Sequence, residues 1–193
     1  MYTKSLLTAT LAGLAAAVPV IQRAEDSSFN IIAIHSGTNV QNQAINANGQ
    51  RFWIGKPTST YCPETISCPS NTDVTAFAYN AAGTSLSMDD VVPGGQQVYV
   101  AADGQLGFTI AHSASIPEGA SVSGFVYTSQ TESGAPGELT WNSFSFSACP
   151  NGDEGVYQIY ADKATIANSP DSTCINIAAA TLNNTVGAAW QYA

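Results

Sequence analysis

The sequence predicts an all-β protein, and three observations carry the prediction. After residue 23 the chain runs in short stretches where apolar and polar residues alternate, each closed by Gly, Asn, Asp or Pro. Sustained helical periodicity is almost absent from the same region. Hairpin-like openings recur at Phe29 (FNIIAIHSGTNVQN), Thr75 (TAFAYNAAGTSLSM) and Gly124 (GFVYTSQTESGAPGELTW), 46 and 49 residues apart, each followed by an aromatic strand: RFWIG, QQVYVA, VYQIYA. About twelve strands in three such pseudo-repeats would form a β-trefoil, a closed barrel that leaves no exposed sheet edge. A β-sandwich, with turns at similar spacing, is the alternative.

The strands follow in order. FNIIAIHSG (29–37) enters a turn, and VQNQAI (40–45) is a weaker candidate after it. RFWIG (51–55), DVTAFAY (73–79), TSLSM (84–88), QQVYVAADG (96–104) and LGFTIA (106–111) continue the pattern. SVSGFVYTS (121–129), GELTW (137–141), SFSFSA (143–148), GVYQIYA (155–161) and CINIAAATL (174–182) complete it. Residues 24–193 make one compact domain, as expected for a chain of 193 residues.

What precedes that domain reads as an address. Lys4 and the apolar stretch 5–18, with Ala15-Ala16-Ala17 near its end, match a signal peptide cleaved after Ala17, so residues 1–17 are expected to be removed. VPVIQR (18–23) reads as a short propeptide trimmed after Arg23. No run approaches the roughly 18 apolar residues of a membrane helix.

Secretion gives the cysteines their meaning. Cys62, Cys68, Cys149 and Cys174 are an even set in an oxidising compartment, with three pairings open. Cys62–Cys68 with Cys149–Cys174 is favoured, because each pair is close in sequence and flanked by turn residues. Chain entropy assigns about 2 kcal/mol to the shorter loop and about 3.5 kcal/mol to the longer. The spacing does not suit zinc.

Charge excludes several partners. The chain carries 5 basic and 14 acidic residues, and Lys4 leaves with the signal peptide. Nucleic acid and anionic membranes need basic patches and are not expected. Charged residues make up only 10% of the chain, so Ser, Thr, Asn, Gln and Gly carry the polar surface, as suits a protein among sugars.

The reactive residues are sparse. Of the two histidines, His35 adjoins Ser36, but neighbours on a strand face opposite ways and no nucleophile elbow occurs. Asp89-Asp90 and Asp153-Glu154 lie in Gly- or Pro-bearing loops and read as solvated tips, because a glycosidase needs carboxyls opposed across a cleft. Neither loop has calcium-loop spacing. No catalytic residue, metal or cofactor is expected. Trp53, Tyr99 and Tyr157 read as core aromatics or, alternatively, as rings for sugar stacking. Asn183, in NNT, is an N-glycosylation candidate. DGQ (103–105) reads as a tight turn, although it echoes the repeat by which some yeast wall proteins attach to glucan.

Two stretches resemble a known family. IIAIHSGTNVQNQ and FSACPNGDEGVYQIYADKATIANSPDSTCINIAAA are similar to the PhiA-type fungal cell-wall proteins, in the same order along the chain. From about residue 84 onward the chain more distantly resembles the C-terminal domain of PIR wall mannoproteins, without their glutamine-repeat array. The resemblance implies a secreted, non-enzymatic wall glycoprotein with a structural role. It implies links to phialide and conidium development and to IgE-binding allergens, and it carries over Cys149–Cys174 as a disulfide. Glucan or mannan of the wall is the implied partner, and a carbohydrate-binding module the alternative function. No hydrophobic tail follows GAAWQYA, so a GPI anchor is not expected.

Overall fold

The computed structural model describes residues 28–68, 73–161, 173–184 and 188–193, so the expected signal peptide and propeptide lie outside the described residues. The described residues contain no helix; they form strands β1 (Ser28–Ile34), β2 (Asn46–Asn48), β3 (Arg51–Ile54), β4 (Thr60–Tyr61), β5 (Phe77–Asn80), β6 (Ser85–Met88), β7 (Val98–Val100), β8 (Leu106–Phe108), β9 (Phe125–Tyr127), β10 (Gly137–Trp141), β11 (Phe146–Pro150), β12 (Tyr157–Ala161), β13 (Ile175–Asn183) and β14 (Gln191–Tyr192).

Twelve strands belong to one antiparallel sheet, along the path β6-β5-β1-β13-β11-β12-β3-β8-β7. Its spine is β13. One edge of β13 pairs with β1 from Phe29–Asn183 to Ile34–Ala178. The other is shared, with β10 taking Ala179–Thr181 and β11 taking Ile175–Ile177. Ala179, Ala180 and Thr181 are all buried, which is why this strand reads as a continuous small apolar run rather than an alternation.

The three hairpin openings are present. β5 pairs with β6 and β9 with β10. β1 returns on residues 42–45: Asn42 N–H donates to Ala33 O, Ala33 N–H to Gln43 O, and Ile45 N–H to Ile31 O. The aromatic strands β3, β12 and β7 gather in one half of the sheet, with β12 directly on β3 and β7 joined to β3 through β8. The expected trefoil barrel is not what these pairings build. Among the described residues no ladder closes the sheet, and the ends of the path, β6 and β7, meet through the isolated Ser87–Gln97 bridge and the Met88 N–H to Gln96 O bond beside it. The three openings are alike in sequence, but their partners differ, so the long pairings do not repeat.

Phenylalanines are the largest fully buried side chains of the core. Phe29, Phe52, Phe77, Phe108, Phe125 and Phe146 are each at most 1% exposed, whereas Phe144 is 44% exposed at the β10–β11 turn. Ring contacts link Tyr127, Phe29, Phe77, Phe52 and Phe108 in succession, at centroid distances of 4.2, 5.9, 5.4 and 5.3 Å. Each buried ring contributes about 2–3 kcal/mol by area. Asn142 and Ser143 form the tight turn to β11, both with positive φ, as a two-residue hairpin of this hand requires.

Both favoured disulfides are formed. Cys149 on β11 joins Cys174 just before β13, one register step beyond the Ala148–Ile175 pair. Cys62–Cys68 closes an exposed loop after β4. The β4–β14 pair holds Thr60–Tyr61 against Gln191–Tyr192. Two-residue strands have no period to read, and for that reason β4 and β14 are invisible in the sequence.

Candidate functional site

Three depressions adjoin one another through shared lining residues. The first, about 590 Å³, lies over the loop after β6 and includes Asp90, Val91 and Gln96. The second, about 540 Å³, shares Gly94, Gly95 and Gln97 with the first and adds His112 and Val122. The third, about 360 Å³, shares Thr109, Ser113 and Ile116 with the second and ends at Gln50, Arg51 and Tyr99. The first and third share no residue, so the three follow one another in a row.

The floor is built by long-range hydrogen bonds. Gln96 is 1% exposed: its Nε2 donates to Thr109 O and Tyr192 O, both at 3.0 Å, and its Oε1 accepts from Tyr192 N–H at 2.7 Å. One amide thus clamps β14 beside the start of β7. Gln97 N–H donates to Thr109 Oγ1 at 2.9 Å, tying the β7 and β8 sides together. Pro93-Gly94-Gly95 turns back over this floor with φ of 92° and 64° at the two glycines, values a residue with a Cβ adopts only with strain. At the far end Arg51 is held by three acceptors. Its Nε donates to Gln105 Oε1 at 3.1 Å, and its Nη1 to Gln50 O at 3.0 Å and to Tyr99 OH at 2.9 Å. Its Nη2 has no partner among the described residues.

One expectation about the acids is corrected here. Asp89-Asp90 is not a solvated tip. Asp90 is 2% exposed, beneath Gly95, with the C-terminal segment laid alongside it through the Asp90–Ala189 bridge and the Val91 N–H to Ala189 O bond. Asp89 Oδ2 accepts from Ser28 Oγ at 2.6 Å. Asp153 and Glu154 do lie at an exposed tip, where Val156 N–H donates to Asp153 O. Burial pushes the Tyr192 phenol up to about 12; its bond from Ala76 N–H opposes that shift, and the nearby Asp89 and Asp90 charges add to it. Burial also raises Tyr160, with Asp103 reinforcing the shift and Arg51 opposing it.

Of the aromatics named from sequence, only Tyr99 lines the row. It is 4% exposed, and its ring lies so close over Gly107 that a Cβ there would stand 2.7 Å from it. Trp53 is 8% exposed, donates from Nε1 to Asn48 O, and carries Lys56 Nζ 3.4 Å from its ring centroid. Tyr157 is half-buried on β12, its hydroxyl accepting from Asn39 Nδ2 at 2.6 Å. Asn183 ends β13 exposed, its N–H donating to Gln130 Oε1, while Thr185 of its sequon is outside the described residues. His35 is an exposed strand-end residue whose Nδ1 meets Asn176 O, and His112 is exposed at the rim of the second depression. DGQ is the β7–β8 turn, with Ala101 N–H donating to Gln105 O and Gly104 at φ 89°. Among the described residues no three His, Cys, Asp or Glu side chains gather as metal ligands, and no helix is long and apolar enough to cross a membrane.

Sequence reading missed Arg51, Gln50, Gln96 and the 109–117 segment. The one available signal was the scarcity of cations: Arg51 is one of five basic residues in the chain and sits on an aromatic strand.

A disulfide-bonded all-β domain, with amides and hydroxyls lining its surface depressions, defines the class: a β-sheet protein built for an oxidising environment. The chain belongs to the PhiA-like secreted protein family, which it matches over residues 29–193. It is 36% identical to a secreted protein of Arthroderma benhamiae, with 97% of this chain and 98% of that one covered. It is 29% identical to the cell wall protein phiA of Aspergillus niger (93% and 91% covered) and 28% identical to that of Aspergillus fumigatus (93% and 92% covered). No solved structure matches the chain.

Proposed function

We propose that the protein is a structural, non-enzymatic component of the fungal cell wall, retained there by contact with wall polysaccharide. The observation that carries this reading is the alignment, over more than nine-tenths of each chain, with relatives named as cell wall proteins. The build supports it: an apolar core with large phenylalanine side chains, two disulfides and a polar surface carried mostly by uncharged side chains suit a durable extracellular part. By resemblance, the wall is that of spore-bearing cells. A second reading, a carbohydrate-binding module, is favoured by the row of depressions lined with amides and hydroxyls.

The test is fractionation of cells that secrete the tagged protein. Most of it is expected in the washed wall fraction, released by hot detergent or by a glycan-degrading enzyme. Recovery of nearly all of it from the medium, with none in washed walls, would overturn the proposal.

A further inference from the structure

We infer that the row of depressions from Asp90 to Arg51 is a binding trough for an extended, neutral polysaccharide chain, with Arg51 as its fixed hydrogen-bond donor. The inference rests on the polysaccharide-contact reading above and names the site.

Shape comes first. Three depressions joined end to end through shared residues suit a linear chain of similar units better than a single compact ligand.

The lining chemistry points the same way. Sugar hydroxyls both donate and accept, and so do hydroxyl and amide side chains. Gln50 and Ser115 supply such groups at the Arg51 end, whereas Ser87, Gln97, Thr109 and Ser113 line the row with groups already bonded within the protein: Ser87 Oγ donates to Ala78 O, Gln97 Nε2 to Leu86 O and Val98 O, and Thr109 Oγ1 and Ser113 Oγ accept from Gln97 and Ser115 N–H. The side chains of Gln50 and Ser115 have no hydrogen-bond partner among the described residues. Val91 in the first depression is 54% exposed and Ile110 in the third 57% exposed, giving apolar surface for the C–H faces of sugar rings.

Charge selects a neutral ligand. Arg51 is the one basic residue lining the row apart from the His112 imidazole, and the chain's net charge is −9. A polyanion would be repelled at long range and met by one guanidinium at close range. Yet Arg51 is well prepared to donate. Tyr99 and Gln105 fix its plane, leaving the two Nη2 hydrogens for a ligand without further loss of side-chain freedom.

The test is calorimetric titration of the purified mature protein with linear hexasaccharides of β-1,3-glucan, chitin and α-1,6-mannan, and with a polyuronate as the anionic control. One neutral hexasaccharide is expected to bind saturably. Arg51→Ala removes a charged donor and is expected to weaken binding about tenfold or more. Ser115→Trp, at an exposed position, fills the third depression and is expected to weaken it similarly with an unchanged melting temperature. It keeps the test valid if Arg51→Ala unfolds. Binding that neither variant weakens would overturn the trough while leaving polysaccharide contact standing. Preference for the polyuronate would overturn the neutral ligand. No binding of any probe, with wall retention intact in the fractionation, would overturn the trough and leave the structural role.

Discussion

The loop from Asp89 to Gly95 and the loop from Asn151 to Val156 are made of similar parts. Each follows a strand, carries two adjacent acids and turns on glycine. In the second, Asp153 and Glu154 stay in water, and the loop is anchored at its base, where Cys149 meets Cys174. In the first, Asp90 is sealed in by Ala189 and its neighbours, and the same segment brings Tyr192 to Gln96. The difference teaches that an acid pair acquires its character from what the rest of the chain lays over it. One loop is a tip; the other lines the first depression of the candidate trough.

Removing what holds the first loop against the C-terminal segment should separate the loops most widely. Gln96→Ala leaves Tyr192 N–H and the Thr109 and Tyr192 carbonyls without the amide that pairs them and is expected to cost about 2–4 kcal/mol, read as a lower urea midpoint. A loss below about 0.5 kcal/mol would make this loop equivalent to the exposed tip, and the contrast would collapse.

High pH probes the covering segment by itself. The Tyr192 phenol is pushed up to about 12, while an unfolded tyrosine titrates near 10. Between those values the unfolded chain holds fewer protons than the folded one, so stability falls as pH rises. At about 1.4 kcal/mol per unit, the loss from Tyr192 is about 2–3 kcal/mol across pH 10 to 12. Tyr192→Phe is expected to flatten that slope without abolishing it, since Tyr127 and Tyr160 are raised too. An unchanged slope would mean that the Tyr192 phenol of the covering segment is not buried.

The smallest effect belongs to the open tip. Asp153→Asn with Glu154→Gln is expected to move stability by no more than about 0.5 kcal/mol. A loss of more than about 2 kcal/mol would show that this tip is also part of a packed network.

Local signals carried much of the fold. GELTW is β10 with the same bounds, TSLSM differs from β6 by one residue, and the β5–β6 and β9–β10 hairpins fall at their turn residues. Alternation and turn chemistry act over a few residues, and those are the distances a sequence exposes. The site was harder to see. Trp53 and Tyr99 were visible as aromatics on strands, but the period-2 pattern cannot say which face becomes covered. Arg51 became legible only when Tyr99, Gln105 and Gln50 stood around it.

By itself the sequence determined the all-β class and the hairpins, because each depends on neighbours a few residues away, and it favoured the two cysteine pairs without closing the other pairings. The tertiary structure alone decided that the openings do not close into a threefold barrel, that Asp90 is buried, and that three depressions line up toward Arg51. Those outcomes depend on contacts such as Gln96 with Tyr192, 96 residues apart. Pairing at that distance is set by which surfaces pack together, and no local pattern records it.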